Sequence, residues 1–213
     1  MKIQQKWIRI LITILFGVFA FTSVYPLFWM FINSFKDTAE IMTGNSFGLP
    51  VVWKFENYTD ALFERGILKY FLNSIIITTF TILLTVVVSV MLAYALTRMK
   101  WKWSIKVNSV VTLGILLPSQ IVIVPIFIML REMHLINNPI SLILTISAFN
   151  IAMSTLMASS FMKGIPPEME EAAVMDGAGI VTIIFRIIVP LIKPAIASMC
   201  INIFINSWNE FIY

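Results

Sequence analysis

ILITILFGVFAFTSVYPLFWMFINSF, Ile10 to Phe35, contains no Asp, Glu, Lys or Arg. A helix needs about 20 apolar residues to cross roughly 30 Å of hydrocarbon, so this stretch is long enough to span a bilayer. A helix also satisfies its backbone N–H and C=O groups internally, which lipid requires. Lys2, Lys6 and Arg9 precede the stretch, as in a signal peptide, but the apolar part is too long for an h-region and no A-x-A cleavage site follows. The stretch is a first transmembrane helix.

The pattern recurs outward along the chain. Tyr70–Thr97, Val107–Leu130 and Leu135–Met162 are uncharged, and a fifth apolar run begins between Ile187 and Pro194 and continues to Tyr213. With 59% hydrophobic residues, and 11 acids against 15 bases in 213 residues, there is too little polar material to cover a water-soluble globule. The sequence is that of an all-α integral membrane protein. Its net charge of +4 sits in short clusters beside apolar runs, which is the pattern of membrane topology and not of a basic face for nucleic acid. Cys200 and His134 are each alone of their type, so no disulfide framework and no cysteine-based metal site is available.

Orientation follows from the bases, because Lys and Arg in short flanking segments resist translocation. With a cytosolic N-terminus, segments 1–9 (Lys2, Lys6, Arg9), 98–106 (Arg98, Lys100, Lys102, Lys106) and 163–193 (Lys163, Arg186, Lys193) place ten bases inside. Five lie outside: Lys36, Lys54, Arg65, Lys69 and Arg131. The N-in arrangement is therefore expected. Trp7, Trp29, Trp101 and Trp103 fall near span ends, where interfacial aromatics gather. The chain then divides into residues 1–35 (tail and first span), 36–69 (an extracytoplasmic segment with a short helix near Asn57–Arg65) and 70–213. That last part holds four further spans and a cytosolic loop at about 163–193.

The loop contains EEAAVMDGAG, Glu170 to Gly179. The first two cytosolic segments hold no acid, whereas this one holds Glu168, Glu170, Glu171 and Asp176. Ile165-Pro166-Pro167 starts a helix, the glutamates fall in its first turn where the dipole favours them, and Asp176-Gly177 stops it. Nine or ten residues make a helix of only about 15 Å, which needs a surface to pack on. Met169, Ala172, Ala173 and Asp176 recur at i, i+3, i+4 and i+7, so the alanines are expected on one face that something else approaches closely. Gly177 is expected in the left-handed position after the helix. A second apolar run, Ile180–Val189, leads to Pro190 and Pro194, which makes the loop a helix–turn–helix elbow at the cytosolic surface. An anchor resting on anionic lipid would favour Lys and Arg, the opposite of this composition.

Glu171-Ala172-Ala173, three residues, Gly177, nine residues, Ile187, one residue and Val189-Pro190 resemble the EAA loop of the permease subunits of ATP-binding-cassette importers, with Val189 where Leu is usual. Pro118, Pro125, Asn137-Asn138, Ile165-Pro166, Asp176-Gly177-Ala178 and Trp208-Asn209-Glu210 resemble the carbohydrate-uptake branch, the type of the maltose permease G subunit. Ile136-Asn137-Asn138 departs from the more usual Leu-Asn-Thr. The resemblance covers nearly the whole chain. It implies the type I importer transmembrane fold, with five spans present and a sixth missing, so a fragment ending at Tyr213 is expected. It implies that Glu168, Glu171, Ala172, Ala173, Asp176, Gly177, Ala178 and Pro190 belong to a coupling element seated on an ATP-hydrolysing subunit. It also implies a second permease subunit, an extracytoplasmic solute-binding protein, and inward movement of a sugar or oligosaccharide across a bacterial-type cytoplasmic membrane, with no cofactor.

No G-x-x-x-x-G-K-[ST] loop occurs, so ATP hydrolysis is expected in the partner and the chain itself is not read as an enzyme. One His, one Cys and no H-E-x-x-H leave nothing from which to build an intramembrane enzyme. Uncharged first to fourth spans argue against a proton or ion relay. Asn150, Asn206 and Glu210 are expected to line a pore, although amides within spans also serve as bonds between helices. Pro118 and Pro125 are expected to kink the third span. The residues leave open a membrane scaffold or assembly protein with an interfacial helix, and the resemblance leaves open a permease for another solute class.

Overall fold

The computed structural model describes residues 2–211, so the expectation placed on Tyr213 lies outside the described residues. Those residues form helices and turns with no strand among them. They fall into two compact units that divide between Tyr70 and Phe71.

The first unit opens with α1 (Lys2–Asn33), whose side chains from Lys6 to Phe28 are all exposed. A helix that is apolar all round and covered by none of its own chain suits a bilayer. The segment that follows is a built structure. Asp37 caps α2 (Thr38–Met42) by accepting from the Ala39 N–H, and its carboxylate pairs with Lys54. Lys36, 3% exposed, donates from Nζ to the Asn45 carbonyl at 2.6 Å, and Asn57 donates to the carbonyls of Ser34 and Lys36 at 2.9 Å each. Around these ties the rings of Trp53, Phe55 and Tyr58 gather on Phe35, with centroids 5.2–5.4 Å away. The short helix expected near Asn57–Arg65 is α3 (Glu56–Thr59), continued by a π-helical turn at Asp60–Glu64.

The second unit is built on α4 (Ile67–Thr97), which starts at the end of the first. Next come α5 (Ser104–Leu116), α6 (Ile123–Glu132), α7 (Pro139–Lys163), α8 (Glu168–Met175), α9 (Ile180–Ile183), α10 (Val189–Leu191) and α11 (Lys193–Trp208). Asn138 caps α7, its side chain accepting from the Ile140 N–H, and Pro139 fills the first turn where no N–H is needed. α1, α4 and α7 are each long and apolar enough to cross a membrane; α5 with α6, and α9–α10 with α11, are bent pairs.

Two spans differ from the sequence reading. The third is not one kinked helix. Pro118 has no N–H and pushes the residue before it out of the helical region, leaving Leu117 extended at φ −83°, ψ 110°. A 3-10 turn, Ser119–Val122, follows, and the two halves meet at 96°. Pro125 causes no break, because it sits in the first turn of α6. The fifth span is bent by 81°, with Ile192 between α10 and α11, and a π-helical turn at Ile184–Ile188 precedes the bend.

α7 packs on α5 and α11. Small polar side chains fill the interior between α4, α7 and α11: Ser147 donates to the Thr81 carbonyl at 3.5 Å, Ser89 to the Ile151 carbonyl at 3.3 Å, and Ser207 to Thr78 at 3.2 Å. Small hydroxyl residues let helices approach closely where lipid offers no hydrophobic drive. Towards the elbow the interior turns apolar, with Ala93, Ala158, Met162, Ile188, Ile192 and Met199 all fully buried.

Candidate functional site

α8 forms where its local signals put it. Pro167 precedes it, Glu168, Glu170 and Glu171 occupy the first turn, and Asp176 ends it. Its C-terminus is closed by two bonds, Ala178 N–H to the Ala173 carbonyl and Gly177 N–H to the Val174 carbonyl, both 2.9 Å, the pattern of a Schellman motif. Gly177 takes φ +81°, in the left-handed region that a β-carbon disfavours.

The two alanines do not share a face. Ala173 and Ala178 pack on the chain's own apolar core, whereas Ala172 is exposed. The outward side of the elbow carries Glu168, Glu171, Ala172, Met175 and Asp176, with Met175 87% exposed. Pro190 is exposed further along, at the start of α10. Among the described residues, Glu168, Glu171 and Asp176 make no ion pair within the chain. Behind them Ile183, Ile184, Ile188 and Ile192 are buried, so the elbow is seated on its own helices and shows an acidic front.

The fourth acid behaves differently. Glu170 is buried, and its Oε1 lies 2.8 Å from Nε of Arg98, one residue past the end of α4. The same guanidinium donates from Nη2 to the carbonyls of Met162 and Ile165, at 2.7 and 2.6 Å. Sequence reasoning counted Arg98 only as a topology base and left Glu170 out of the site. The available signal was the i, i+3 spacing of Glu170 and Ala173, which puts both on the face turned inward.

A second feature lies within the helices. Asn150, Asn206 and Glu210, chosen separately along the sequence, line one cavity of about 370 Å³ together with Ser119, Ile146, Phe149, Ile205 and Asn209. Asn206 donates to Asn150 at 2.8 Å, and Asn150 donates to the Ile146 carbonyl at 2.8 Å. Ser119 reaches the cavity because the chain leaves the helix at Pro118.

Residues 85–213 match the family described as the binding-protein-dependent transport system inner membrane component. The chain belongs to this family. This inner membrane component is 35% identical over 189 residues to the diacetylchitobiose uptake system permease protein NgcG of Streptomyces coelicolor, covering 89% of the chain and 62% of that protein. It is 31% identical over 214 residues to the probable ABC transporter permease protein YurM of Bacillus subtilis, covering 100% of the chain and 71% of that protein. Its fold matches a chain in the crystal structure of a bacterial ABC transporter involved in the import of the acidic polysaccharide alginate, with a TM-score of 0.85 and 26% identity, covering 97% of this chain and 72% of that one. The chain thus spans 62% of the Streptomyces relative and 71% of the Bacillus one.

Proposed function

We propose that this chain is a permease subunit of an ATP-driven importer for an oligosaccharide, in which α8 seats in a groove of an ATPase subunit. The observation that carries this is the two-sided helix: Ala173 and Glu170 fix it to the membrane helices, while Glu168, Glu171 and Asp176 face outward with no ion pair among the described residues. Acids on a short exposed helix complement a basic groove, and exposed Ala172 allows close seating. Closure of the ATPase around nucleotide then displaces the elbow, and with it the helices it is packed on.

The solute's path runs past Asn150 and Asn206, and a second permease subunit supplies the opposite wall. Amide side chains offer both donors and acceptors to hydroxyl groups, and Phe149 offers an apolar face to a sugar ring. The relatives named for diacetylchitobiose and alginate transport support a carbohydrate, and a lining without Lys or Arg among the described residues favours a neutral one. With the protein in a bacterial-type cytoplasmic membrane and its N-terminus in the cytosol, residues 36–69 face outward and dock a solute-binding protein, with Phe47, Leu49, Val51 and Val52 exposed for contact.

The test is reconstitution of the full complex in vesicles with a labelled neutral oligosaccharide. ATP-dependent uptake is expected. Glu171→Lys is expected to retain less ATPase subunit, and the loss should shrink as salt rises, because screening weakens the new repulsion. Wild-type ATPase retention and uptake in Glu171→Lys would sink the coupling role. Uptake of an amino acid and of no sugar would keep the permease and overturn the substrate class.

A further inference from the structure

We infer that Arg98 is a positioning residue for coupling, a clamp that makes the ends of α4 and α7 move with α8 as one body. The inference rests on the coupling role proposed for α8. Three separate pieces of chain meet at one planar group: the Met162 carbonyl in the last turn of α7, the Ile165 carbonyl in the connector, and the Glu170 carboxylate on α8. The Met162 carbonyl, in the last turn of its helix, accepts from the Ile165 N–H at 3.0 Å as well as from Arg98, and a cation there also meets the negative end of the helix dipole. Nε faces Glu170 at ion-pair distance without an aligned N–H···O bond, so the carboxylate is held by charge and burial while Nη2 makes the directed bonds. Tyr94, one turn earlier on α4, lies beside the same carboxylate. Lys at position 98 would keep the charge but lose the fork that reaches in two directions.

Side-chain exposures of 15% for Arg98 and 11% for Glu170 set the pair apart from the outward acids. Ions in the buffer screen a pair so enclosed much less than they screen Glu171. Beyond α8 the chain passes through a π-helical turn and the 81° bend at Ile192, with no comparable clamp among the described residues. The elbow therefore reaches α4 and α7 through the clamp, and α11 through the bend and the buried apolar contacts of Ile188, Ile192 and Met199.

The experiment uses the full complex. Arg98→Gln, Arg98→Lys and Glu170→Gln are expected to assemble with the ATPase and hydrolyse ATP, while solute moved per ATP falls about tenfold, within the usual range of a coupling free energy. The defect should be the same at low and high salt, unlike that of Glu171→Lys. The double glutamine variant should be no worse than Arg98→Gln alone, because the residues act as a unit. Unchanged solute moved per ATP in Glu170→Gln, where the wild-type complex does couple uptake to ATP, overturns the clamp alone. A wild-type complex without ATP-driven uptake overturns the proposed function instead. For any variant that fails to insert, nitroxide labels at Lys100 and Val174 in the chain with Arg98 and Glu170 intact decide the matter. Their separation should stay constant between nucleotide-free and ATP-trapped complexes, and a clear shift refutes the clamp.

Discussion

Asn206 on α11 donates a hydrogen bond from Nδ2 to Oδ1 of Asn150 on α7 at 2.8 Å, and both side chains border the same cavity. The bond ties two helices whose small polar and apolar contacts already hold them together.

Interhelical hydrogen bonds in membranes are worth about 0.6 kcal/mol on average and about 1.7 at most. Asn206→Ala is therefore expected to lower stability by about that amount, a shift of a few degrees in the thermal midpoint in detergent. On the proposed function, in which the amide also meets the solute, uptake is expected to fall further than the stability loss accounts for. An uptake loss no larger than the loss of folded protein would reduce Asn206 to a tie between helices.

At Gly177 a β-carbon would meet nothing within 4 Å, so any cost of substitution comes from the backbone at φ +81° alone. That cost is about 1–2 kcal/mol for an ordinary residue and less for Asn, which tolerates the left-handed region. ATPase retention is expected to decline in the order Gly, Asn, Ala, Val at position 177, with normal insertion throughout. Equal losses for Asn and Val would show that the angle of the elbow is not what matters there.

The Asp37–Lys54 pair gives the loop before α3 a defined pH window. A hydrogen bond from Lys54, the Ala39 N–H and the ammonium charge hold the Asp37 carboxyl below its ordinary 3.8, and Asp37 in turn raises Lys54 above 10.5. The carboxylate's contribution is present above 3.8 and is lost as pH falls through its lowered value. The ammonium's is present below 10.5 and is lost as pH rises through its raised value. Protease resistance of residues 36–54 should thus stay flat between those limits and drop outside them. Asp37→Asn should lower resistance at neutral pH and remove the acid step. An acid step that persists in Asp37→Asn would assign it to another group.

Local chemistry was legible in the sequence. The limits of α8 follow from Pro166-Pro167 and Asp176-Gly177, residues whose own backbone preferences set them. Asn150, Asn206 and Glu210 stand out in the sequence because a polar residue within an apolar run must find partners in the bundle, but only the structure shows that they border one cavity. The clamp was not reachable, since Arg98 and Glu170 are far apart in the chain and an arginine at a span end already has a sufficient explanation in topology. Hydropathy likewise reports that the third span is apolar and not which way it points, so the 96° break at Leu117–Pro118 looked like a kink. Spacing alone does not separate outward Ala172 from inward Ala173, because which face of a short helix is buried depends on the helices it meets.

The π-helical turn at Ile184–Ile188 carries one more residue than an α-helical turn would, and such turns amount to a one-residue insertion. The wider turn absorbs that residue locally, so removing one of the five would restore regular winding and leave Asn206 and Glu210 in phase with the cavity. The same deletion in the regular helix α11, ahead of Asn206, would instead rotate everything beyond it by about 100°. The π-helical turn is therefore the place where the chain can lose a residue and keep α11 facing α7.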